Sequence, residues 1–338
     1  MKILVGISGG VDSSYAALKL IDDGHTVVGA NLIMHEHTDV EAAREAAARL
    51  GIPLVEIDCT RAFDEIVKTY FENEYKEGRT PNPCIVCNPE VKFRFLFDYA
   101  REHGFDRIAT GHYARIVERN GRFTVARAKD ATKDQTYMLY RLPQDILSML
   151  VFPLSDSIKK EVKELAAARG ISEPDVKESQ EICFIPDNDY RSFLEQRMGK
   201  FPPGNFIDKN GRIIGTHRGI ISYTVGQRKG LGVSLGQRVF VSRIDPVKNE
   251  VTLTDSESVS NSFTASGVVF SGRVLRVGES ISADVKIRYH HIPVSATVTC
   301  TEEGRIRVDS VDPVGFVAPG QSVVVYDGDE VLLGGFID

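Results

Sequence analysis

Three cysteines are the residues of this sequence best suited to nucleophilic chemistry. Cys84 and Cys87 form a C-x-x-C pair after the TPNP stretch at residues 80–83, and Cys183 lies far along the chain. The pair is predicted to lie in a loop, with Pro81, Pro83 and Pro89, directly before a predicted helix, and a helix N-terminus favours the thiolate form of cysteine. The same pair could be half of a zinc site, a redox pair or two buried thiols, although no second C-x-x-C or paired histidine completes a zinc site. The residues alone leave these alternatives open.

A glycine-rich loop is the second chemical feature, and its pattern predicts phosphate binding. It follows the first predicted strand, precedes the first predicted helix and reads Gly6-Ile7-Ser8-Gly9-Gly10-Val11-Asp12-Ser13. Adjacent glycines let consecutive backbone N–H groups face an anion, and the helix N-terminus adds partial positive charge. Ser8 and Ser13 could donate to phosphate oxygens, while Asp12 could cap the helix or hold a Mg²⁺ that arrives with the phosphates. The pattern differs from GxxxxGK[ST] and lacks a phosphate-binding lysine, and its structural alternative is a glycine turn before a capped helix.

The predicted elements place this loop at the edge of a parallel sheet. Over residues 1–190, strand and helix patterns alternate as in α/β proteins with a doubly wound parallel sheet. The predicted strands are Lys2–Ile7, His25–Ile33, Pro53–Asp58 and Asp106–Thr110. The predicted helices are Ser13–Asp23, Asp39–Leu50, Arg61–Lys76 and Val91–His103. Ligands bind at the carboxyl ends of such strands, where the glycine loop and the Gly111-His112 turn are both expected.

The second half of the sequence is predicted to be mainly β-structure. A short helix over Tyr190–Met198 precedes a predicted hairpin over Val239–Thr254. Further strands, typical of a small β-barrel or sandwich, are Ala283–Tyr289, Ser295–Cys300, Arg305–Val311 and Ser322–Tyr326. We predict three domains: an ATP-binding catalytic domain at 1–200, a small β-rich central domain at 201–262 and a C-terminal β-barrel at 263–338.

Positive charge is concentrated in one segment of an acidic chain. The chain has 41 Lys and Arg against 47 Asp and Glu, which gives a net charge of −6. Residues 209–244 nevertheless contain no acidic residue and carry Lys209, Arg212, Arg218, Arg228, Lys229, Arg238 and Arg243, together with His217. A local basic surface of this kind predicts contact with nucleic-acid phosphates.

The sequence indicates a cytoplasmic protein. No apolar run approaches the ~20 residues of a membrane span, so no membrane association is expected. The N-terminal apolar segment is too short for a signal peptide. The 5 cysteines are therefore expected to be reduced unless they are catalytic or metal-bound, and we interpret Cys59 and Cys300 as ordinary buried thiols.

The motifs of this chain resemble those of a known family. The glycine loop resembles the pyrophosphate loop (PP-loop) of the N-type ATP pyrophosphatases, an adenine nucleotide alpha hydrolase-like fold that cleaves ATP between its α- and β-phosphates. More specifically, the chain resembles the bacterial tRNA-specific 2-thiouridylases essentially from end to end. The motifs that carry this resemblance are GRTPNP at 78–83, CN at 87–88, ATGHYAR at 109–115, KDQTY at 133–137, SQEICFIP at 179–186, YTVGQRKGLG at 223–232, KIRY at 286–289 and PGQ at 319–321.

The resemblance implies 2-thiolation of the wobble uridine in tRNAs for Lys, Glu and Gln. ATP with Mg²⁺ would adenylate the C2 oxygen, and sulfur would then displace AMP. By motif position, Cys183 matches the cysteine that carries a persulfide, and Cys87 matches the nucleophile that forms a disulfide with it. The sulfur would come from a cysteine desulfurase or a sulfur relay protein, and the disulfide must be reduced before the next turnover.

The resemblance also implies a set of binding residues. For ATP they are Gly6, Ile7, Ser8, Gly9, Gly10, Val11, Asp12, Ser13, Leu32 and Gly111. For tRNA they are Asn82, Pro83, His112, Lys133, Asp134, Gln135, Arg228, Lys229, Arg288, Tyr289 and Gln321. Simple packing is the alternative for Tyr289, and a hydrogen bond to the backbone is the alternative for His112.

The chain departs from the family pattern at two places. Cys84 stands where many relatives carry Asp, which leaves the general base unassigned and creates a set of three cysteines. Three thiolates could hold a [4Fe–4S] cluster with one open iron, as an alternative to the persulfide. The segment 32–40 is shorter than in many relatives, and we interpret its His35, Glu36 and His37 as solvated loop residues. The alternative functions are another ATP-dependent ligase or amidotransferase acting on a small molecule, and an inactive tRNA-binding relative.

Overall fold

The computed structural model contains three β-sheets and describes residues 1–171, 182–233, 236, 238–256 and 259–338. The first sheet is parallel with five strands, the second has four strands, and the third is antiparallel with eight strands. The predicted fold class is therefore confirmed: a doubly wound parallel sheet, then a small β-rich region, then a β-barrel.

Helices and strands alternate in the first part of the chain, and strands dominate the last part. The strands are β1 (Lys2–Gly6), β2 (Thr26–Ile33), β3 (Leu54–Asp58), β4 (Arg107–Ala109), β5 (Ala114–Arg119), β6 (Arg122–Arg127), β7 (Leu150–Val151), β8 (Gly204–Ile207), β9 (Ile213–His217), β10 (Phe240–Asp245), β11 (Glu250–Thr254), β12 (Val259–Phe270), β13 (Ser280–Lys286), β14 (Val294–Glu302), β15 (Arg305–Gly315), β16 (Ser322–Asp327) and β17 (Glu330–Ile337). The helices are α1 (Val11–Asp22), α2 (Val40–Leu50), α3 (Thr60–Ala62), α4 (Thr69–Lys76), α5 (Pro83–Cys87), α6 (Phe93–Glu102), α7 (Gln144–Met149), α8 (Lys159–Ala168) and α9 (Tyr190–Met198). Single π-helical turns join α3 to α4 (Phe63–Lys68) and α5 to α6 (Asn88–Lys92).

The parallel sheet buries side chains on both faces, with strand order β3-β2-β1-β4-β7. Side chains alternate along a strand, so Ile3 and Val5 of β1 pack in one core with Ala17 of α1, whereas Leu4 packs on the other face with Leu96 of α6. Burial on both faces explains the continuous apolar run of β1. Because β1, β2 and β4 run parallel, the segments that follow them lie at one edge of the sheet.

The hairpin β5–β6 leaves the parallel sheet and joins the barrel sheet. Its strands pair antiparallel across Asn120 and Gly121, whose φ angles are 52° and 73°. Asn-Gly is a strong signal for a two-residue hairpin turn. Ala126 pairs with Glu330 of β17, and Thr124 Oγ1 donates to the Val331 carbonyl at 2.5 Å. The catalytic part and the barrel are therefore joined by a continuous sheet, which the sequence analysis did not predict.

The remaining strands form a small sheet and a closed barrel. The small sheet has the order β10-β11-β8-β9, and β10–β11 is the predicted hairpin. The barrel strands follow the order β12-β15-β14-β13-β16-β17, and pairing of β12 with β17 closes the ring. Within the described ranges, no helix is both long enough and apolar enough to cross a membrane.

Candidate active site

The glycine loop between β1 and α1 is shaped before any ligand is bound. The Ser8 backbone N–H donates to Ser13 Oγ at 3.2 Å, and Ser13 Oγ donates to the Gly10 carbonyl at 3.0 Å. Gly9 has a φ of 84°, and a Cβ there would lie 2.5 Å from the Cβ of Ala42, so glycine is required. Because α1 is capped by the backbone of Gly10 alone, its first N–H groups can bind an anion.

The turn after β4 closes against the first turn of α1. A Cβ on Gly111 would lie 2.6 Å from the carbonyl carbon of Asp12 and 2.7 Å from the amide nitrogen of Ser13. Gly111 is thus held against the glycine loop by backbone contact. The sequence prediction placed both at the ATP site, and the structure brings them together.

Asp12 does not cap α1 but is held by an unpredicted lysine. Lys159 Nζ lies 2.6 Å and 2.5 Å from the two carboxylate oxygens of Asp12, and Tyr113 Oη donates to the same carboxylate at 2.9 Å. The Lys159 side chain is 8% exposed and the Asp12 side chain 34%. Lys159 is the first residue of α8, where the helix dipole disfavours a positive charge. That unusual position was the only local signal that this lysine has a partner elsewhere.

The end of β2 is tied to the glycine loop. Asn31 Nδ2 donates to the Ile7 carbonyl at 2.9 Å, which places the neighbouring Leu32 at the same edge of the sheet. Beyond it, His35 is buried at 7% exposure with its ring 5.3 Å from that of Phe63. Burial lowers the pKa of His35. Its interpretation as a solvated loop residue is therefore wrong.

Both paired cysteines lie within a short helix rather than in a loop before one. Asn82 caps α5, because its Oδ1 accepts from the Cys84 backbone N–H at 3.2 Å, and Pro83 occupies the first helical position. Proline suits that position because its missing N–H would have no helical partner. Cys84 is exposed, whereas Cys87, one turn further on, is buried.

The thiols of Cys84, Cys87 and Cys183 interact electrostatically with one another and with Lys92. Desolvation is the main reason that the pKa of Cys87 rises to about 12 and that of Cys183 to about 11. The Cys84 thiol reaches solvent but is surrounded by protein, and this desolvation raises its pKa. The ammonium group of Lys92 opposes the shift at all three thiols and forms no ion pair or hydrogen bond with another side chain of the described chain. The sequence analysis missed Lys92, which is the cation best placed to stabilise a sulfur anion.

The three thiols are not arranged as a metal site. All three cysteines belong to the described part of the chain, and within that part no group of three or more His, Cys, Asp or Glu side chains is placed to hold a metal ion. Residues 179–181, which begin the predicted Cys183 motif, lie outside the described residues. The thiols are therefore not placed to share a single metal ion, whereas the [4Fe–4S] alternative, in which each thiolate binds a different iron atom, stays a prediction.

His112 connects the cysteine helix to the ATP edge. Its Nδ1 lies 2.8 Å from Thr110 Oγ1, and its ring centroid lies 5.5 Å from that of Phe93 and 6.1 Å from that of Phe152. Burial, with a smaller contribution from Lys92, lowers the pKa of His112 well below its usual value. A neutral imidazole beside Gly111 can orient a base or an adenylate by hydrogen bonding, but it does not supply positive charge at neutral pH.

Two residues of the KDQ motif, Asp134 and Gln135, form hydrogen bonds within the protein. Asp134 is buried and accepts from the backbone and hydroxyl of Thr136 at 2.9 Å and 2.6 Å, and its second oxygen lies 3.8 Å from Lys286 Nζ of the barrel. Gln135 Oε1 accepts from the Tyr113 backbone N–H at 2.8 Å. Lys133 lines a cavity of about 500 Å³ together with Asp130, Thr132, Ile158, Lys159, Lys160 and Lys163. Contact of the three KDQ residues with tRNA stays a prediction.

The basic segment forms a surface around the GQRKGLG stretch. Arg228 and Lys229 are exposed. A cavity of about 480 Å³ is lined by Arg228, Gly230, Leu231, Gly232, Val233, Arg238 and Val239. His217 does not belong to this surface, because it is 2% exposed and its Nε2 lies 3.1 Å from the Asn249 carbonyl. The prediction that His217 belongs to the basic surface was therefore wrong.

The barrel contributes the remaining predicted tRNA residues. Arg288 is exposed just beyond β13, and Tyr289 packs 6.3 Å from the ring of Tyr137, as its packing alternative requires. Gln321 lies in the turn before β16 and donates from Nε2 to the Thr80 carbonyl at 2.9 Å. This turn therefore contacts the loop that precedes the cysteine helix.

Three family models match successive parts of the chain. They are described as the tRNA methyl transferase HUP domain at residues 1–187, the tRNA methyl transferase PRC-barrel domain at 191–255 and the aminomethyltransferase beta-barrel domain at 260–337. Together they cover nearly the whole sequence in the order of the three sheets.

Curated relatives match the chain from end to end. The tRNA-specific 2-thiouridylase MnmA of Clostridium acetobutylicum is 41% identical over 355 residues, covering 99% of this chain and 99% of that protein. The protein of the same name from Leptospira interrogans is 42% identical and covers 99% and 94%, and that from Carboxydothermus hydrogenoformans is 43% identical and covers 100% and 97%. Among solved structures, a 4-thiouridine synthetase–RNA complex with bound ATP is similar at a TM-score of 0.38 and 21% identity, over 58% of this chain and 50% of that one. A structural similarity at that level does not bear on function.

Proposed function

The chain belongs to the family of tRNA-specific 2-thiouridylases, and we propose that it uses ATP to replace the C2 oxygen of a tRNA uridine with sulfur. The observation that carries this proposal is that His112, which follows Gly111 at the glycine loop, and the three thiols all interact with the same cation, Lys92. A ligase or amidotransferase on the same fold has no use for such a cluster. The full-length similarity to 2-thiouridylases supports the same choice.

Adenylation is the first step of the proposed reaction. The C2 oxygen of uracil is a poor leaving group, and its attack on the α-phosphate of ATP forms a new O–P bond and releases pyrophosphate. The backbone N–H groups at the start of α1 hold the phosphates, and the bond from Ser8 to Ser13 keeps the loop in shape. His112 stays neutral and orients the base or the adenylate by hydrogen bonding. Reaching C2 requires an unstacked base, which is easiest in a single-stranded anticodon loop.

Sulfur transfer is the second step. The terminal sulfur of a persulfide on Cys183 forms a bond to C2, and the C2–O bond breaks as AMP leaves. The Cys87 thiolate then attacks Sγ of Cys183, which releases the thiolated tRNA and leaves a Cys87–Cys183 disulfide. A reductant restores the two thiols. The Lys92 ammonium stabilises the thiolate, which desolvation otherwise disfavours.

The remaining components follow from the same family resemblance. Mg²⁺ would arrive with the ATP phosphates, and Asp12, whose two carboxylate oxygens already contact the Lys159 ammonium, is the acidic residue of the glycine loop that could bind it. The sulfur comes from a cysteine desulfurase or a sulfur relay protein. The tRNAs for Lys, Glu and Gln are the expected substrates, and the cytoplasm is the expected compartment.

The proposed reaction predicts that ATP cleavage depends on tRNA. Purified protein with ATP and Mg²⁺ should release pyrophosphate faster when unmodified tRNA with a wobble uridine is added than when tRNA with a wobble cytidine is added. Pyrophosphate release and gel retardation of thiolated tRNA by an organomercury reagent measure the two steps. A protein that binds ATP but releases no pyrophosphate with any tRNA would contradict the proposal.

We predict that sulfur transfer proceeds without an iron–sulfur cluster, because the persulfide route needs only Cys183 and Cys87, whose thiols interact with each other. Anaerobic purification should yield protein without stoichiometric iron or acid-labile sulfide, and a persulfide should be detectable on Cys183 after incubation with a cysteine desulfurase and cysteine. Cys84→Ala should leave that persulfide in place. Stoichiometric iron and sulfide that disappear in Cys84→Ala would instead assign the three cysteines to a cluster.

A further inference from the structure

The segment Phe316–Gln321 connects the barrel to the central sheet. It lies between β15 and β16, and Phe316 adopts a φ of 42°. The Phe316 ring lies 5.3 Å from the ring of Phe240 of β10, and a Cβ on Gly226 would lie 3.2 Å from the Cβ of Phe316. Gly226 belongs to the basic GQRKGLG stretch, two residues before Arg228. One end of the segment therefore contacts the predicted tRNA-binding surface.

The other end of this segment binds the loop that precedes the cysteine helix. The Thr80 backbone N–H donates to the Pro319 carbonyl at 2.8 Å, and Gln321 Nε2 donates to the Thr80 carbonyl at 2.9 Å. Both backbone groups of Thr80 are therefore bonded to the barrel. Gly320 has a φ of 86°, and a Cβ there would lie 2.9 Å from Arg79 Cβ and 3.0 Å from the Thr80 nitrogen, so only glycine permits this approach.

A short and rigid stretch of backbone links Thr80 to the cysteine helix. Asn82, two residues on, caps α5 by accepting from the Cys84 N–H. Pro81 and Pro83 are both buried, and their rings fix the backbone between Thr80 and the helix. A displacement of Thr80 must therefore move Cys84, and with it the helix that carries Cys87.

We infer that the Pro319–Gln321 turn of the barrel positions the cysteine helix for sulfur transfer, with Gln321 acting through Thr80 rather than only through contact with tRNA. This inference rests on the proposed function. The glycine loop is held by its own hydrogen bonds between Ser8, Gly10 and Ser13. Loosening the turn should therefore slow sulfur transfer more than adenylation.

The inference is tested by separating the two steps in Gln321→Met and Gly320→Ala. Both variants should lower the ratio of sulfur transfer to pyrophosphate release by about tenfold at saturating tRNA, as expected from the loss of one partly buried hydrogen bond or a small misplacement of a reacting group. The KM for tRNA should change by less than about twofold, since the loss lies in a chemical step. The matched control is Gln144→Met: Gln144 exchanges hydrogen bonds of 2.7 Å and 2.8 Å with the Phe123 backbone, and removing them should leave the ratio unchanged.

A second readout needs neither ATP nor tRNA. Loosening of the helix should raise the alkylation rate of the exposed Cys84 thiol in Gln321→Met relative to wild type and to Gln144→Met, with melting temperatures recorded for each protein. An unchanged ratio of sulfur transfer to pyrophosphate release, together with a raised KM for tRNA, would show that Gln321 acts as a tRNA contact and would overturn the inference. An unchanged alkylation rate of Cys84 in Gln321→Met would also overturn it. Absence of tRNA-dependent pyrophosphate release in wild type would instead remove the proposed function. If Gly320→Ala does not fold, Gln321→Met decides.

Discussion

Replacing Cys183 by serine should lower tRNA thiolation by more than about 10³-fold, because a serine hydroxyl cannot carry a persulfide and removal of a nucleophile in other enzymes costs up to about 10⁶-fold. The raised pKa of Cys183, about 11, means that its free thiol is a weak nucleophile at neutral pH and that sulfur transfer depends on the persulfide. Release of pyrophosphate precedes this step, so it should persist in Cys183→Ser. The measurement is single-turnover thiolation of unmodified tRNA beside pyrophosphate release from the same samples.

The matched control for Cys183→Ser is Cys300→Ser, which makes the same replacement at a buried thiol in β14 of the barrel. It should thiolate tRNA at the wild-type rate after correction for the folded fraction. Thiolation at the wild-type rate by Cys183→Ser would show that sulfur does not pass through this residue. The proposed mechanism would then be wrong, and a ligase-type reaction on the same fold would gain support.

The elements that build the ATP edge are predictable from the sequence because their signals are local. The buried run of β1 and the position of the glycine loop between β1 and α1 are each encoded within a few residues, and the structure agrees with both predictions. The start of α2 is also local, because the Asp39 side chain accepts from the Ala42 backbone N–H. The cysteine helix was mistaken for a loop because Pro81, Pro83 and Pro89 suggested one. Proline in the first turn of a helix is favoured, however, and Pro83 occupies such a position, whereas Pro89 lies in the π-helical turn between α5 and α6.

Contacts between distant parts of the chain were not predictable in this way. The β5–β6 hairpin carries its own Asn-Gly turn, but its partner β17 lies near the end of the chain. Likewise, a basic segment predicts a surface from charge alone, yet His217 is turned inwards by its hydrogen bond to the Asn249 carbonyl. The domain limits at residues 200 and 262 stay predictions. The tRNA-contacting residues also stay predictions, because they depend on a partner that the sequence does not contain.

The partly buried Asp12–Lys159 pair is the contact of this kind with the largest expected effect on activity. Lys159→Met should lower tRNA-stimulated pyrophosphate release by about 10²-fold. The substitution leaves the Asp12 carboxylate uncompensated in the first turn of α1, beside the loop that must receive the ATP phosphates. At roughly 6 Å and an effective dielectric constant of about 20, two unit charges repel by roughly 3 kcal/mol, which corresponds to about a hundredfold in rate.

Lys68→Met provides a matched control for the cost of removing a buried lysine. The Lys68 side chain is 9% exposed, against 8% for Lys159, and its Nζ lies 3.4 Å from Glu36 and 3.5 Å from Asp64, outside the predicted ATP and tRNA residues. Both variants should lose stability in thermal melting, since each removes a buried cation from its acidic partners, although Asp64 keeps its ion pair with Arg197. Only Lys159→Met should lose pyrophosphate release once the folded fraction is taken into account.

A double variant separates two explanations for that loss. If repulsion by the uncompensated Asp12 carboxylate is the cause, Lys159→Met combined with Asp12→Asn should recover most of the lost pyrophosphate release, because the charge near the phosphates is again neutral. No recovery would mean that the Lys159 ammonium is itself needed in the adenylation step, as the lysine that the glycine loop lacks. Wild-type release by Lys159→Met alone would exclude both explanations and leave the pair a purely structural contact between α1 and α8.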